Sequence, residues 1–180
     1  MFISPTTAIE NNWITHPRCE TLDDWKQLNF ISPNAIDFTL DHVNKIDGQT
    51  ECFISEDYGK TMREQQSVNF VQSKKIPTWE LAVGCYDGTS DMYVEIPSGV
   101  AAYVITRSTF NRNGLFIQSG LYDAGFKGNV GIVLYNIAGT INVTPHTRIG
   151  QIILVKSDSI GHYAGQYNTE PGQHWTRNFQ

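Results

Sequence analysis

The sequence predicts an all-β fold, a sandwich or jelly-roll barrel with few short helices. Three observations lead there. Short segments rich in β-branched and aromatic residues recur along the chain, Asp-Gly, Pro-Ser-Gly and Ala-Gly turns separate them, and one segment near the start carries helical signals. That segment is 21–28, where Thr21 is an N-cap candidate with Asp24 three residues on, followed by apolar residues at helical spacing. Strands are expected at 35–40, 92–96, 100–106, 115–118, 130–135 and 149–155. Residues 47–75 are polar and poorly periodic, which suits an excursion from the barrel. At 180 residues the chain fits a single domain with a real core, and it carries no internal repeat. From Gly161 on it is rich in Gly, Gln, Asn and aromatics, so the expected division is a barrel domain, 1–160, and a flexible C-terminal tail, 161–180.

Composition narrows the function classes. A net charge of −5 argues against nucleic acid as a partner, because phosphate-backbone binding needs a basic face. The sequence shows no run of eighteen apolar residues and no basic-then-apolar leader, so we expect no membrane association and a soluble, cytoplasmic protein. Cys19, Cys52 and Cys85 are odd in number and far apart, which suits neither a disulfide framework nor paired zinc ligands and leaves buried or idle thiols. Trp13, Trp25 and Trp79 read as packing groups, and His16, His42 and His162 lack metal-ligand spacing.

The most informative stretch is 120–136, GLYDAGFKGNVGIVLYN. Alternation through Val130, Ile132 and Leu134, with glycines at 120, 125 and 128, reads as strand, tight turn, strand, and it places Asp123 in the turn. Four further segments stand out. In SPNAIDFTL (32–40), Asp37 alone reads as a strand-end turn residue. EIPSGVAAYVITRSTFNRNGL (95–115) carries Arg107, Ser108 and Arg112; a guanidinium fork suits phosphate oxygens, and a hydroxyl suits an oxygen on which charge develops. TPHTRIGQIIL (144–154) carries Arg148 and Gln151 beside His146, which reads as an exposed loop histidine, and YAGQYNTEPGQHW (163–175) lies in the tail.

Taken in order, these segments strongly resemble the trimeric dUTPase and dCTP deaminase superfamily across the stretch 29–175. The resemblance implies a distorted jelly-roll β-barrel of the dUTPase-like type. It implies that Asp123 is the base that activates the attacking water, and that Asp37 holds water molecules of a Mg2+ ion chelated by the triphosphate. Arg107, Ser108 and Arg112 fall on its functional positions, with a short helical turn after the Arg-Ser pair. Backbone groups around Gln118, Ser119 and Gly120 would read the edge of the base. Phe126 would lie under the sugar and leave no room for a 2′-hydroxyl. Arg148 and Gln151 match a strand motif that supplies a phosphate-contacting glutamine, while His146 stands where glycine is usual. The tail would close over a bound nucleotide through Tyr167, His174, Trp175 or Arg177, with Gln166 at a position that normally holds lysine. Members are homotrimers whose sites lie between subunits.

One position separates two chemistries. Deaminases of the superfamily carry a proton-shuttling glutamate in the strand after the hairpin, and that position is Val133 here. A valine transfers no proton, and general acid–base catalysis contributes about 10²–10⁴ in rate. The resemblance therefore favours hydrolysis of dUTP to dUMP and pyrophosphate, with magnesium. Rival readings are a dCTP deaminase, including a bifunctional dUMP-forming one, supported by SPNAIDF, Phe126 and the tail; a related nucleotide hydrolase with shifted base specificity, because Tyr122 stands in the usual Ile position; and a non-catalytic nucleotide-binding regulator.

Overall fold

A computed structural model describes residues 1–71, 75–165 and 167–171. The chain opens with helix α1 (Pro5–Glu10), started by its proline, and strand β1 (Ile14–Thr15). Helix α2 (Leu22–Gln27) is capped as expected: Thr21 Oγ1 accepts from the Asp24 backbone N–H and the Asp24 carboxylate accepts from the Thr21 N–H, a full capping box. Strands β2 (Ile36–Thr39), β3 (His42–Ile46), β4 (Phe53–Ser55), β5 (Gly59–Thr61), β6 (Gln65–Ser67), β7 (Trp79–Leu81), β8 (Gly84–Glu95) and β9 (Val100–Thr106) follow. Helix α3 (Ser108–Asn111) leads to β10 (Leu115–Gln118), β11 (Lys127–Asn136), β12 (Ile141–Val143) and β13 (Arg148–Lys156).

Two sheets carry the architecture. One runs β10-β11-β8-β3-β6, with β1 also pairing with β8, and the other runs β2-β13-β9. One continuous core gathers Ile36, Phe38, Val104, Ile152 and Leu154 from the second sheet and Met92, Val94, Ile132 and Leu134 from the first. Trp25 and Trp79 are buried in it, and Trp13 packs against it. The sheets join along β9: the Ile117 N–H donates to Thr106 Oγ1, and Tyr122 and Ala102 exchange both backbone hydrogen bonds. These findings bear out the all-β expectation.

Differences from that expectation have local causes. The strand expected at 92–96 is the end of the twelve-residue β8, because Asp87-Gly88 lies mid-strand instead of in a turn. A Cβ at Gly88 would stand 2.6 Å from Leu134 Cδ1, so a close crossing requires glycine there. Within 47–75, β4 and β5 pair only with each other as an exposed ribbon, whereas β6 returns to the sheet edge beside β3. Among the described residues no helix is long and apolar enough to cross a membrane. The three cysteines are free, and Cys52 and Cys85 are exposed rather than buried.

A polar knot fastens the N-terminal arm to both sheets. His16 is buried against Trp25 and Phe30, its Nδ1 accepts from the Arg18 backbone N–H, and its Nε2 stands 3.0 Å from Asp91 Oδ1, bent from a full hydrogen bond. Thr39 Oγ1 donates to the same carboxylate at 3.0 Å. Burial pushes the Asp91 carboxyl up, but the contact with His16, the Thr39 hydroxyl and the Arg18 charge together hold it below its ordinary value. A carboxyl depressed in the folded state contributes stability above its unfolded pKa and loses it as pH falls through the folded value. We therefore expect wild-type Tm to fall more steeply than that of Asp91→Asn as pH drops below about 4. Parallel calorimetric scans from pH 7 to pH 2 check this, and parallel curves would remove the knot from the account.

Candidate active site

The five motifs assemble into two separate constellations on one chain. The first is built around Asp37, which the structure places in mid-strand on β2 and not in a strand-end turn. It is 1% exposed. Its Oδ2 accepts from Arg148 Nη1 at 3.0 Å and lies 3.6 Å from Arg107 Nε, while its Oδ1 accepts from Gln151 Nε2 at 2.7 Å. Gln151 also donates to Ser32 Oγ at 3.1 Å.

Register explains the convergence. Gln151 pairs with Asp37, and Arg148 pairs with Thr39 across an irregularity between Arg148 and Gly150. Three residues apart on a regular strand, Arg148 and Gln151 would point to opposite faces; one extra residue in β13 brings both to the Asp37 face. Gly150 then points inward, where a Cβ would meet Ile117 Cδ1 at 2.3 Å and Phe38 Cζ at 2.4 Å. Just before the bulge, His146 adopts φ 64°, a left-handed conformation that favours glycine, and Thr144 and Thr147 close the turn through their hydroxyls at 2.8 Å. The turn survives the histidine, which is exposed as expected.

Arg107 ends β9 as the N-cap of α3, tied down by its N–H to the Ile149 carbonyl and by Nη1 to the Arg148 carbonyl. Ser108 opens α3 and Arg112 follows its end; both are exposed. One carboxylate against two guanidiniums leaves surplus positive charge at a half-exposed surface, which is suited to phosphate.

The second constellation is the hairpin. Gln118 pairs with Val133, so residues 119–126 bridge β10 and β11. The Phe126 N–H donates to the Asp123 carbonyl, and Gly125 sits at φ 88°, the pattern of a type II turn. Ile96 exchanges hydrogen bonds with Gly125 and Phe126. Asp123 is exposed on this rigid turn and lines a cavity of about 350 Å3 with Ala124 and residues 157–163. Phe126 is 8% exposed, between Tyr122 and Tyr163, with ring centroids 5.1 and 5.5 Å away. Tyr122 is buried, and its hydroxyl donates to the Gly131 carbonyl; desolvation raises its pKa. Gln118 and Gly120 are exposed, Ser119 is half-buried, and Tyr167 is exposed on the tail. Gln166, His174, Trp175 and Arg177 lie outside the described residues.

The two constellations touch where Ile117 bonds Thr106, but the Asp123 turn sits at the other end of β9 from Arg107. Tyr122 is bridged to Ala102, and Arg107 lies five residues further along the same strand, about 16 Å away at the usual rise. Val133 stands where the deaminase glutamate would be, with Gln118 opposite it on one side and Asp87 on the other. Asp87 does not stand out in the sequence, because its neighbourhood depends on register across three strands.

Metal chemistry is constrained in the same way. Among the described residues no group of three His, Cys, Asp or Glu side chains could hold an ion. Asp37 is nearly closed to water and both its oxygens are already taken by Arg148, Arg107 and Gln151, so this donor set does not fit an ion held by the protein. The Cys19 thiol, 3.9 Å from His16 Nδ1, imitates a nucleophile–base pair, but burial pushes its pKa up to about 11, which keeps it protonated.

A family model described as dCTP deaminase-like matches residues 14–157. The chain belongs to the dCTP deaminase-like family. Among curated relatives of this family member, a Halobacterium salinarum protein named probable deoxyuridine 5′-triphosphate nucleotidohydrolase is 28% identical over 150 residues, 79% of this chain and 88% of that one. A Desulfurococcus amylolyticus protein named dCTP deaminase is 39% identical over 82 residues, covering 44% of this chain and 45% of that protein. The 2′-deoxycytidine 5′-triphosphate deaminase of Agrobacterium tumefaciens shares the fold with TM-score 0.62 at 11% identity, covering 87% of this chain and 48% of that chain. The dCTP deaminase-like family thus spans enzymes of dUTP and dCTP, and the barrel expected from the sequence is its fold.

Removing the Asp37 charge strands two half-buried guanidiniums. Breaking a fully buried pair costs about 3–5 kcal/mol, and partial exposure of the arginines reduces this. We expect Asp37→Asn to lower unfolding stability by about 2 kcal/mol, seen as a lower urea midpoint with an unchanged slope.

Proposed function

We propose that this protein hydrolyses dUTP to dUMP and pyrophosphate, with Asp123 as the base that accepts a proton from the water attacking the α-phosphorus in line. The observation that carries this over deamination is Val133: an aliphatic side chain holds the position of the deaminase acid, while Asp123 stands solvent-accessible on a fixed turn. The Halobacterium salinarum relative, which matches over most of both chains, supports the same reading.

Phosphoryl transfer depends on positioning and charge stabilisation more than on covalent help. Arg107 and Arg148, locked by Asp37, supply a pre-oriented positive edge, and the exposed Ser108 and Arg112 add donors for phosphate oxygens. Main-chain groups at Gln118, Ser119 and Gly120 distinguish uracil from cytosine, whose 4-positions have opposite hydrogen-bond polarity. Phe126 excludes a ribose 2′-hydroxyl. Mg2+ chelated by the triphosphate would neutralise its charge, while Asp37, closed in by Arg107, Arg148 and Gln151, keeps the arginines in place. Gln151, bonded to Asp37 and Ser32, would turn one donor to the phosphates. The tail from residue 161 would close the site through Tyr167.

Tyr122, next to Asp123, is bridged to Ala102, five residues and about 16 Å of strand before Arg107, which supports a homotrimer in which the hairpin of one subunit completes the arginine cluster of another. Each variant alone, Asp123→Asn or Arg107→Gln, then lacks one half of every site. Co-refolding equal amounts should restore about one quarter of wild-type turnover by random assortment. Additive, near-zero activity would exclude shared sites.

The direct test is a magnesium-dependent panel of dUTP, dCTP, dTTP and UTP with products resolved by chromatography and mass. We expect selective formation of dUMP and pyrophosphate from dUTP. Asp123→Asn should lower kcat by about 10²–10⁴ at unchanged Tm, and undiminished turnover in that variant would sink the mechanism. Deamination remains the second reading because Asp87 lies directly across from Val133. Ammonia release from dCTP, abolished by Asp87→Asn, would establish it.

A further inference from the structure

The tail is strapped to its own hairpin. The Tyr163 N–H donates to the Ala124 carbonyl at 2.7 Å, the Thr169 N–H donates to the Lys127 carbonyl at 2.9 Å, and the Lys127 N–H donates to Asn168 Oδ1 at 2.9 Å. The Tyr93 hydroxyl adds a bond to the Thr169 carbonyl at 2.8 Å. Two of the hairpin glycines, Gly125 and Gly128, are contact points. A Cβ at Gly125 would stand 3.2 Å from His162, and one at Gly128 would stand 3.2 Å from Thr169 Oγ1 and 3.1 Å from Phe126 Cζ. Between these points the Tyr163 ring meets Phe126 edge-on, at 70° and 5.5 Å.

The Phe126 ring is therefore held from two sides of different character. Tyr122 belongs to the barrel and is anchored by its hydroxyl to Gly131. Tyr163 belongs to the tail. With one of these two walls removed, the ring gains rotamer freedom and the space above the turn is no longer a fixed shape.

We propose that Tyr163 is a positioning residue that holds Phe126 against the sugar and so sets the preference for deoxyribose over ribose. This rests on the reading of Phe126 as the group beneath the sugar. Tyr163 needs no contact with the nucleotide; it acts through the ring it packs. An aromatic pair is worth enough to alter a ratio of affinities by about threefold to tenfold.

The test uses the full chain with Tyr163→Ala, Tyr163→Phe and Phe126→Ala. The dUTP-to-UTP ratio of kcat/KM is measured, with calorimetric Kd values for dUMP and UMP as a readout that needs no turnover. Amide exchange at residues 125–128 is followed without nucleotide. We expect Tyr163→Ala to speed exchange and to lower the deoxy preference by about threefold to tenfold, and Tyr163→Phe to retain wild-type behaviour in both. Faster exchange with unchanged preference, or unchanged exchange, would overturn the proposal. If Phe126→Ala also keeps the wild-type preference, the reading of Phe126 itself fails; loss in Phe126→Ala alone condemns only the role of Tyr163.

Discussion

Asp37 puts a negative charge at a position almost closed to water, and a charge there persists only when it is paired and hydrogen-bonded. The requirement is met by Arg107 from the end of β9, Arg148 from the start of β13 and Gln151 from its middle, so one carboxylate fixes the relative placement of three strands. The same contacts freeze two long, flexible side chains that would otherwise lose rotamer entropy on meeting an anion. A stability device and a pre-organised cationic edge are thus one structure.

That arrangement depends on a single irregularity. The bulge before Gly150 turns Arg148 to the outer face while the chain stays paired to β2 and β9 on both sides. The inward turn it forces is tolerable only for a residue with no Cβ, since Phe38 and Ile117 fill the space. His146 in a left-handed conformation shows the strain accepted nearby to start β13 at the right place.

The hairpin follows a different logic. Its turn is rigid because the barrel, through Ile96 and Ala102, and the tail, through Tyr163 and Thr169, bind it from two sides. Asp123 on such a turn is exposed yet held in place.

By itself the sequence determined the all-β class, the capping box at Thr21 and Asp24, and six of the thirteen strands, one of them in part. Local propensity, turn chemistry and alternation carry that information over a few residues at a time. Strands β1, β3 to β7 and β12 and helix α1 were not legible, because their patterns are short and their stability comes from neighbours. Only the tertiary structure decided that Asp37 is buried mid-strand, that Arg148 and Gln151 share its face, that Asp87 flanks Val133, and that the tail lies on Phe126. Each of these depends on register or on contact between segments remote in sequence, and a one-residue slip would send every side chain involved to the other face.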